Sequence, residues 1–436
     1  MKTINVGLIG FGTIGAGVAR LLLENSTTIK ERLGADLKLA KIADLDITTD
    51  RGVKVPDGIL TTKVDEVLGN PVIDIVIELI GGYEPARSFV ARALERGQSV
   101  VTANKALLAS HGNELFQLAS ENGVDLYYEA SVGGGIPIIK VMREALAGNR
   151  VISVSGILNG TCNYILTKMA SEGTDFAKVL HEAQTLGYAE ADPTFDVEGI
   201  DTAHKLALLV ALAFATPVDF DRIHVEGIAA VKPVDLTFAS EFGYKIKLLA
   251  LAKSNNGSIE ARVHPTMVPE NHMLAKIDGV FNAVFVNADA LGPSLYFGQG
   301  AGMMATASAV VGDLVDIARN HLQKGHRRIP DLGFQTSTIS PKTYLTMDEI
   351  VSQYYLRFSA RDQTSVLATI AGILGKNKIS IASVIQQGRS RSGGTVPIVM
   401  QTHKAQEKNL HRALQEIDQL DFITEATVLI RMESEL

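Results

Sequence analysis

Residues 4–23 of the chain read INVGLIGFGTIGAGVARLLL. The run Ile4–Ile9 is short, apolar and rich in β-branched residues, which predicts a strand. Gly15–Leu23 carries apolar residues at helical spacing, and a turn rich in glycine separates the two runs. A strand that passes through a tight glycine turn into a helix is a common first unit of an open parallel sheet.

The next hundred residues repeat this alternation of strand and helix. The run Ile73–Ile80 is almost continuously apolar, which is typical of a parallel strand covered on both faces. The predicted strands are Leu37–Ala43, Ile73–Ile80, Ser99–Thr102 and Asp125–Glu129, and the predicted helices are Glu84–Arg96 and Lys105–Asn122. The pattern predicts an α/β fold with a Rossmann-type, doubly wound parallel sheet.

Beyond Glu129 the regular alternation of strand and helix ends. Strand-like runs mixed with long helices predict an α+β catalytic and dimerisation domain. A polar stretch then predicts a linker, and the order strand, helix, strand, strand, helix, strand, with Ile381–Gln387 as the second strand, predicts a ferredoxin-like domain. The predicted division is residues 1–130 with 303–320 for the parallel-sheet domain, 131–302 for the α+β domain, 321–353 for the linker and 354–436 for the C-terminal domain.

Composition and charge limit the classes of protein to which the chain can belong. The chain has 436 residues, 46% of them hydrophobic, a formal net charge of −7 and one short basic cluster at Lys324–Arg328. This acidic balance argues against nucleic-acid binding. The single cysteine, Cys162, is interpreted as a packing residue. The N-terminus has no signal-peptide layout and no apolar run reaches the length of a membrane span, which predicts a cytoplasmic protein.

The glycine turn has the spacing GxGxxG, with a strand before it and a helix after it. Gly10 permits the tight turn, Gly12 lets a pyrophosphate approach the backbone, and Gly15 permits close helix–strand packing. The helix start supplies unpaired N–H groups and a positive dipole end. We therefore predict a dinucleotide site, the alternative being a turn without a ligand. Its predicted residues are Gly10, Phe11, Gly12, Thr13, Ile14 and Gly15.

An acidic residue after the second strand commonly binds the adenosine ribose hydroxyls of NAD. Asp44 stands there, although it lies further along the chain than is usual. Arg51 is close enough to contact a 2′-phosphate, so both NAD and NADP remain open. The alternative role of Asp44 is that of a turn aspartate.

Two lysines and an aspartate predict the chemistry. Lys105 follows a predicted strand at the edge where open α/β sheets bind ligands. Asp201 and Lys205 are four residues apart and share one helix face. Because the helix continues as LALLVALAFA, we expect the pair at the floor of a cavity instead of in water. Burial favours the neutral form of a lysine and makes it a usable general acid.

Four segments, in this order, resemble the homoserine dehydrogenase family over roughly residues 4–320. They are TANK (102–105), NGTCNY (159–164), LGYAEADPTFDVEGIDTAHK (186–205) and GQGAG (298–302). The third segment is far more specific than the glycine turn. The C-terminal part resembles an ACT-type regulatory domain, so the resemblance is to the monofunctional type that carries such a domain.

The resemblance implies reversible NAD(P)-dependent interconversion of L-homoserine and L-aspartate 4-semialdehyde, in threonine and methionine biosynthesis. Lys205 would supply the proton to the substrate oxygen. Lys105 would position the substrate, stabilise negative charge and contact the cofactor, and Asp201 would orient Lys205 or bind substrate. The substrate residues implied are Glu190 and the weaker candidate Asp196 for the ammonium group, together with Gly160, Thr161 and Tyr188.

Three further expectations rest on the same resemblance. Gly302 would lie near the nicotinamide. A monovalent cation, Na⁺ by preference, would be held by Glu129, Val132, Gly134 and Ile136, although an ordinary glycine-rich turn is the alternative. The chain would form a homodimer or a homotetramer.

The C-terminal domain departs from its family pattern at one position. At the first strand-to-helix turn the chain reads Asp362-Gln-Thr-Ser365-Val-Leu, with serine where the family has glycine. Threonine is the effector that the resemblance implies, with feedback inhibition as its effect. A purely dimerising module is the alternative.

Two rival functions stay open at this point. One is another amino-acid dehydrogenase with the same nucleotide domain. The other is a nicotinamide sensor without catalysis, which would have no need for a proton donor such as Lys205.

Overall fold

The computed structural model describes residues 2–323, 325, 327–386 and 394–436. Lys324 and His326 of the basic cluster, and Gln387 at the end of a predicted strand, lie outside the described residues.

The strands follow the chain in this order: β1 (Thr3–Ile9), β2 (Asp36–Ala43), β3 (Leu60–Thr61), β4 (Ile75–Glu78), β5 (Ser99–Thr102), β6 (Leu126–Tyr127), β7 (Val151–Ile157), β8 (His224–Val225), β9 (Tyr244–Asn255), β10 (Ser258–Pro269), β11 (Phe281–Ala288), β12 (Gly292–Gln299), β13 (Val351–Arg361), β14 (Ile381–Gln386), β15 (Thr395–Thr402), β16 (Ala405–Gln406) and β17 (Ile423–Met432).

The helices are α1 (Thr13–Glu24), α2 (Ser26–Leu33), α3 (Asp65–Leu68), α4 (Ala86–Glu95), α5 (Lys105–Glu121), α6 (Ile138–Lys140), α7 (Gly160–Glu172), α8 (Phe176–Thr185), α9 (Thr194–Val197), α10 (Ile200–Phe214), α11 (Pro233–Glu241), α12 (Met303–Leu322), α13 (Val366–Lys376) and α14 (Glu407–Ile417). A π-helical turn, Val141–Ala145, follows α6. No helix among the described residues has the length and apolar character that a membrane crossing needs.

The chain packs into two compact units. The first contains residues 1–160, 200–223 and 280–342, and the second contains residues 161–199, 224–279 and 343–436. The four-part domain division that the sequence predicts stays a prediction, because the two units are defined only by how closely their residues pack.

A parallel sheet organises the first unit, with strands in the order β3-β2-β1-β4-β5-β6. This order confirms the predicted doubly wound α/β sheet. Val6 and Leu8 of β1 are fully buried and share a core with Val18 of α1 and Leu314 of α12. Helix α12 therefore covers one face of the sheet, although it lies far along the chain. The same unit contains the antiparallel strands β7, β11 and β12.

Two strands are shorter than the sequence predicts. The predicted strand Asp125–Glu129 is observed only over Leu126–Tyr127, because Glu129 begins a 3-10 helical turn. In the other strand, a single carboxylate sets the C-terminal end. The predicted strand Ile73–Ile80 is observed only over Ile75–Glu78. The Glu78 carboxylate accepts hydrogen bonds from the backbone N–H groups of Ile80 and Gly81, at 2.8 and 3.2 Å. These bonds bend the chain into a turn at Ile80 and Gly81, so the strand cannot continue there.

The second unit ends in a βαββαβ arrangement. Its antiparallel strands lie in the order β17-β13-β15-β14, and residues of α13 and α14 share a core with the sheet. This is the ferredoxin-like order that the sequence predicts. Strand β17 also pairs with β10, which joins this sheet to the β9–β10 hairpin.

Candidate active site

The glycine turn between β1 and α1 is shaped for a bound group. Gly10 has a φ of +99°, and a Cβ there would lie 2.7 Å from the backbone of Leu79. A Cβ on Gly15 would overlap the carbonyl oxygen of Gly10. At Gly12, by contrast, a Cβ would meet no described atom within 4 Å. The turn is thus tightly packed on its protein side and open beside Gly12, where α1 begins. These features fit a pyrophosphate.

Phe11, Thr13 and Ile14 of the predicted dinucleotide site lie in this turn or at the start of α1, and Asp44 contacts the turn. Phe11 is buried, Thr13 is exposed and Ile14 is half-buried. The Asp44 carboxylate accepts hydrogen bonds from the backbone N–H groups of Phe11 and of Asp46. Asp44 therefore shapes the glycine turn itself, and its contact with a ribose stays a prediction. Arg51 pairs with Asp46 at 3.0 Å.

The carboxyl edge of the parallel sheet brings Glu78, Thr102 and Asn104 together. Thr102 Oγ1 donates to Glu78 Oε2 at 2.6 Å, and the Asn104 N–H donates to Thr102 Oγ1 at 3.0 Å. The Asn104 side chain caps α5 by accepting from the N–H of Leu107. This network holds the start of α5, and Lys105 is the first residue of that helix.

Lys105, Asp201 and Lys205 form one cluster. Asp201 Oδ1 lies 3.1 Å from Lys105 Nζ, and Asp201 Oδ2 lies 2.6 Å from Lys205 Nζ. The Lys205 ammonium also donates to the carbonyl of Leu158 at 2.6 Å. Asn159 Nδ2 donates to Asp201 Oδ2 at 2.8 Å. Two cations thus share one buried carboxylate.

Helix α10 sets the burial of this cluster. Every residue from Asp201 to Ala213 is buried. Side-chain exposure falls from 36% at Lys105 to 10% at Lys205 and 4% at Asp201. Lys105 is therefore the member most open to solvent. The burial of Asp201 and Lys205 agrees with the apolar continuation of the helix.

The charges of the cluster determine the ionisation of Asp201. Burial alone would raise the pKa of this carboxyl, but the charges of Lys205 and Lys105 and the hydrogen bonds from Lys205 and Asn159 hold the pKa well below its usual range. Asp201 therefore stays a carboxylate throughout the range in which enzymes work. His204 is packed against Phe220, with ring centroids 4.4 Å apart, and burial lowers its pKa. These features are those of a residue that packs inside the fold.

The predicted cation residues lie in the turn after β6. Glu129 is buried, and its carboxylate accepts from the N–H groups of Ile139 and Lys140, each at 2.8 Å. Burial raises the pKa of Glu129 to about 7. Gly134 has a φ of +55°, and Val132 and Ile136 are buried. No group of three or more His, Cys, Asp or Glu side chains suited to a metal occurs in the described part of the chain. A site made of backbone carbonyls would not need such a group.

Most of the predicted substrate residues belong to the second unit. Thr161 Oγ1 donates to the carbonyl of Tyr188 at 2.5 Å, and Cys162 Sγ donates to the carbonyl of Asp196 at 3.2 Å. Glu190 is exposed. Within the second unit, Thr161 and Cys162 are therefore in direct contact with the segment that contains Tyr188 and Asp196. Gly160 belongs to the first unit, and Gly302, with a φ of +118°, is the residue before α12.

Sequence reasoning assigned no role to several polar residues of the site. Glu78 and Asn104 organise the sheet edge, and Asn159 and Asn282 bond to members of the lysine cluster or to Leu158. Two of these roles could have been predicted from the sequence. Glu78 stands at the end of a buried strand, and Asn159 lies within NGTCNY. Asn282 sits in an apolar run that reads as an ordinary strand, so its role has no sequence signal.

The first unit combines a parallel sheet that carries a dinucleotide-type glycine turn with a buried lysine–aspartate cluster. This combination defines a nicotinamide-dependent oxidoreductase of the Rossmann class. Residues 10–129 match the family model described as the NAD binding domain of homoserine dehydrogenase, and residues 137–315 match the model described as homoserine dehydrogenase. The chain belongs to the homoserine dehydrogenase family and is an NAD(P)-dependent oxidoreductase.

Whole-chain comparisons agree with these matches. The chain is 46% identical over 434 residues to homoserine dehydrogenase of Neisseria gonorrhoeae, covering 100% of this chain and 99% of that protein. A crystal structure of a homoserine dehydrogenase from Thiobacillus denitrificans has a TM-score of 0.94 and 46% identity, covering 100% of this chain and 99% of that chain. A hyperthermophilic archaeal homoserine dehydrogenase in complex with NADPH has a TM-score of 0.62 and 28% identity, covering 72% of this chain and 97% of that chain.

Proposed function

We propose that Lys205 exchanges the substrate proton in the NAD(P)-dependent interconversion of L-homoserine and L-aspartate 4-semialdehyde. The observation that carries this proposal is the shared carboxylate of Asp201, which contacts both Lys105 and Lys205. An aldehyde oxygen that gains electron density needs a proton and nearby positive charge, and this cluster offers both.

Each member of the cluster has a separate task in this proposal. When bound at the glycine turn, the dinucleotide supplies the hydride chemistry. Lys205 donates a proton to the substrate oxygen during reduction and accepts it during oxidation. Asp201 stays ionised and orients the Lys205 ammonium group. Lys105 is more exposed and stabilises the negative charge that develops on the substrate oxygen.

Substrate selection is proposed for the second unit. A homoserine ammonium group prefers carboxylates, and Glu190 lies in the loop between α8 and α9 while Asp196 lies in α9. The contacts Thr161–Tyr188 and Cys162–Asp196 support a common role for Thr161, Cys162 and this acidic segment. Because homoserine leads to both threonine and methionine, we propose a place in the biosynthesis of these amino acids.

A monovalent cation is proposed at the turn formed by Glu129, Val132, Gly134 and Ile136. The donor set fits, because a buried carboxylate with unused lone pairs and backbone carbonyls provide the oxygen ligands that Na⁺ prefers. Replacing NaCl by a salt of a large organic cation should lower turnover in the wild type. It should have no effect in Glu129→Gln.

Threonine inhibition is proposed for the C-terminal βαββαβ part. A cavity of about 420 Å³ lies at the turn before α13, lined by Arg361, Gln363, Ser365, Ala368 and Gln386 among others. Arginine and side-chain amides suit an amino-acid carboxylate. Turnover and thermal shift should both respond to added threonine. If neither responds, the dimerising alternative is preferred.

The deciding experiment is turnover of L-homoserine by purified protein with NAD and with NADP in parallel. Formation of reduced nicotinamide is expected, and the ratio of the two rates reports cofactor preference near Asp44 and Arg51. Folded protein that binds dinucleotide without turnover would favour the sensor or another amino-acid dehydrogenase. Light scattering of the same sample tests the proposed homodimer or homotetramer.

A further inference from the structure

Asn282 lies beside the lysine cluster, at the start of β11. Strands β7 and β11 are paired with Ile157 opposite Ala283, so the register places Leu158 next to Asn282. Asn282 Nδ2 donates to the carbonyl of Leu158 at 2.8 Å. That same carbonyl accepts the Lys205 ammonium at 2.6 Å. One backbone oxygen therefore links the asparagine to the lysine.

The burial of Asn282 has no evident benefit for stability. Only 1% of the residue is exposed, and no described residue donates a hydrogen bond to its Oδ1. A buried amide with an unpartnered oxygen costs more than an apolar side chain of the same size. The hydrogen bond to Leu158 is therefore the feature that favours asparagine at this position.

The other side of the amide is packed against the GQGAG segment. A Cβ added to Gly300 would overlap Cγ and Nδ2 of Asn282. Asn282 also pairs with Gly298, the first residue of that segment, in the β11–β12 ladder. The backbone of the glycine segment thus prevents the amide from turning away from Leu158.

We propose that Asn282 is a positioning residue for Lys205. By holding the Leu158 carbonyl in place, it keeps an acceptor that directs the Lys205 ammonium toward the substrate. Asp201, itself oriented by Asn159, is another acceptor of the same ammonium group. This inference rests on the proton-transfer role proposed for Lys205. It adds a residue of β11 that acts on Lys205 through the Leu158 carbonyl.

The test uses Asn282→Leu in the full-length protein, because leucine keeps the volume and removes the donor. We expect kcat for homoserine oxidation to fall about tenfold, the size of one lost orienting hydrogen bond. KM for homoserine and for the dinucleotide should stay within about threefold of wild type. The proposed effect of Asn282 is on the position of Lys205, and not on the binding of either substrate. In a Lys205→Ala background, Asn282→Leu should lower the residual rate less than twofold, since the two residues act together.

Asn320→Leu is the matched control. Asn320 is also a buried asparagine of the first unit, but its amide donates to Asp125, outside the lysine cluster. We expect kcat of Asn320→Leu to stay within about twofold of wild type, whatever the change in its thermal stability. If Asn320→Leu lowers kcat equally, the Asn282 effect is a general loss of packing and the inference is wrong.

The remaining outcomes separate this inference from the proposed function. A folded Asn282→Leu enzyme with wild-type kcat overturns the positioning role and leaves Lys205 untouched. Full activity in Lys205→Ala overturns the role of the lysine, and the role of Asn282 with it. An additive loss in the double variant shows that Asn282 acts independently of Lys205, which also contradicts the inference.

Discussion

The ammonium group of Lys105 lies 3.1 Å from Oδ1 of Asp201, although the two residues belong to different helices and are far apart in the chain. The second oxygen of the same carboxylate binds Lys205. Asp201 is therefore the common counter-ion of two cations and fixes the positions of both ammonium groups.

Lys205→Met should lower kcat by about 10²–10⁴-fold, which is the usual contribution of a general acid or base. Asp201→Asn should also lower kcat, because the two ammonium groups would lose the charge between them. Steady-state kinetics with homoserine measures both. Lys253→Met is the control, since Lys253 also forms a 2.6 Å pair with a carboxylate, that of Glu433. An equal loss of kcat in the control would contradict a catalytic role.

Gly12 and Gly15 should respond to alanine in opposite ways. Gly12 has an ordinary backbone conformation and open space beside it, so Gly12→Ala should fold normally. The methyl group would, however, stand where a pyrophosphate approaches, and dinucleotide affinity should fall at least about tenfold, or about 1.4 kcal/mol. Gly15→Ala should instead lower thermal stability, because its Cβ overlaps the Gly10 carbonyl. Calorimetry and thermal unfolding separate the two effects; unchanged dinucleotide affinity in Gly12→Ala would remove the turn from the binding site.

Ser365 adopts a left-handed backbone conformation with a φ of +69°. This conformation explains why glycine suits the position and why serine is strained there. Ser365→Gly should raise stability by up to about 1 kcal/mol, with part of the gain offset by greater chain entropy in the unfolded state. Thermal unfolding measures the change. Ser383→Gly, in strand β14, should lower stability, and a loss of stability in both variants would contradict the strain.

His264 should make the protein acid-sensitive. The side chain is fully buried in β10, and its Nε2 accepts from Arg262 Nε at 3.1 Å. Burial lowers its pKa well below the usual value, and the charges of Arg431 and Arg262 lower it further, against the opposing charge of Glu226. The unfolded chain therefore takes up a proton below about pH 6.5 that the folded chain does not. Stability is present above that pH and is lost as the pH falls, by at most about 1.4 kcal/mol per pH unit.

Thermal unfolding between pH 8 and pH 5 tests this sign. The melting temperature of His264→Gln should fall less steeply toward acid pH than that of the wild type. His181→Gln, at an exposed position, should follow the wild type. A His264→Gln profile parallel to the wild type would show that other groups cause the acid sensitivity.

The amino-acid sequence alone determined the local elements and their order. Periodicity placed β1, α1, α10 and the C-terminal βαββαβ order correctly, because apolar spacing along a segment reflects the face that the segment buries. The apolar continuation of α10 also predicted burial of Asp201 and Lys205, since both belong to the same short helical repeat. The motif segments supplied the family, which the comparisons confirmed.

Only the tertiary structure decided which residues meet. Lys105, Leu158 and Asn282 come from three distant segments, and their contacts depend on strand register and helix packing, which no local pattern encodes. The same holds for Asp44, whose carboxylate binds the backbone of the glycine turn. Hydrogen bonds between distant residues form only after the core has placed their backbones, so the sequence predicted the lysine–aspartate pair, while the fold determined what holds it in place.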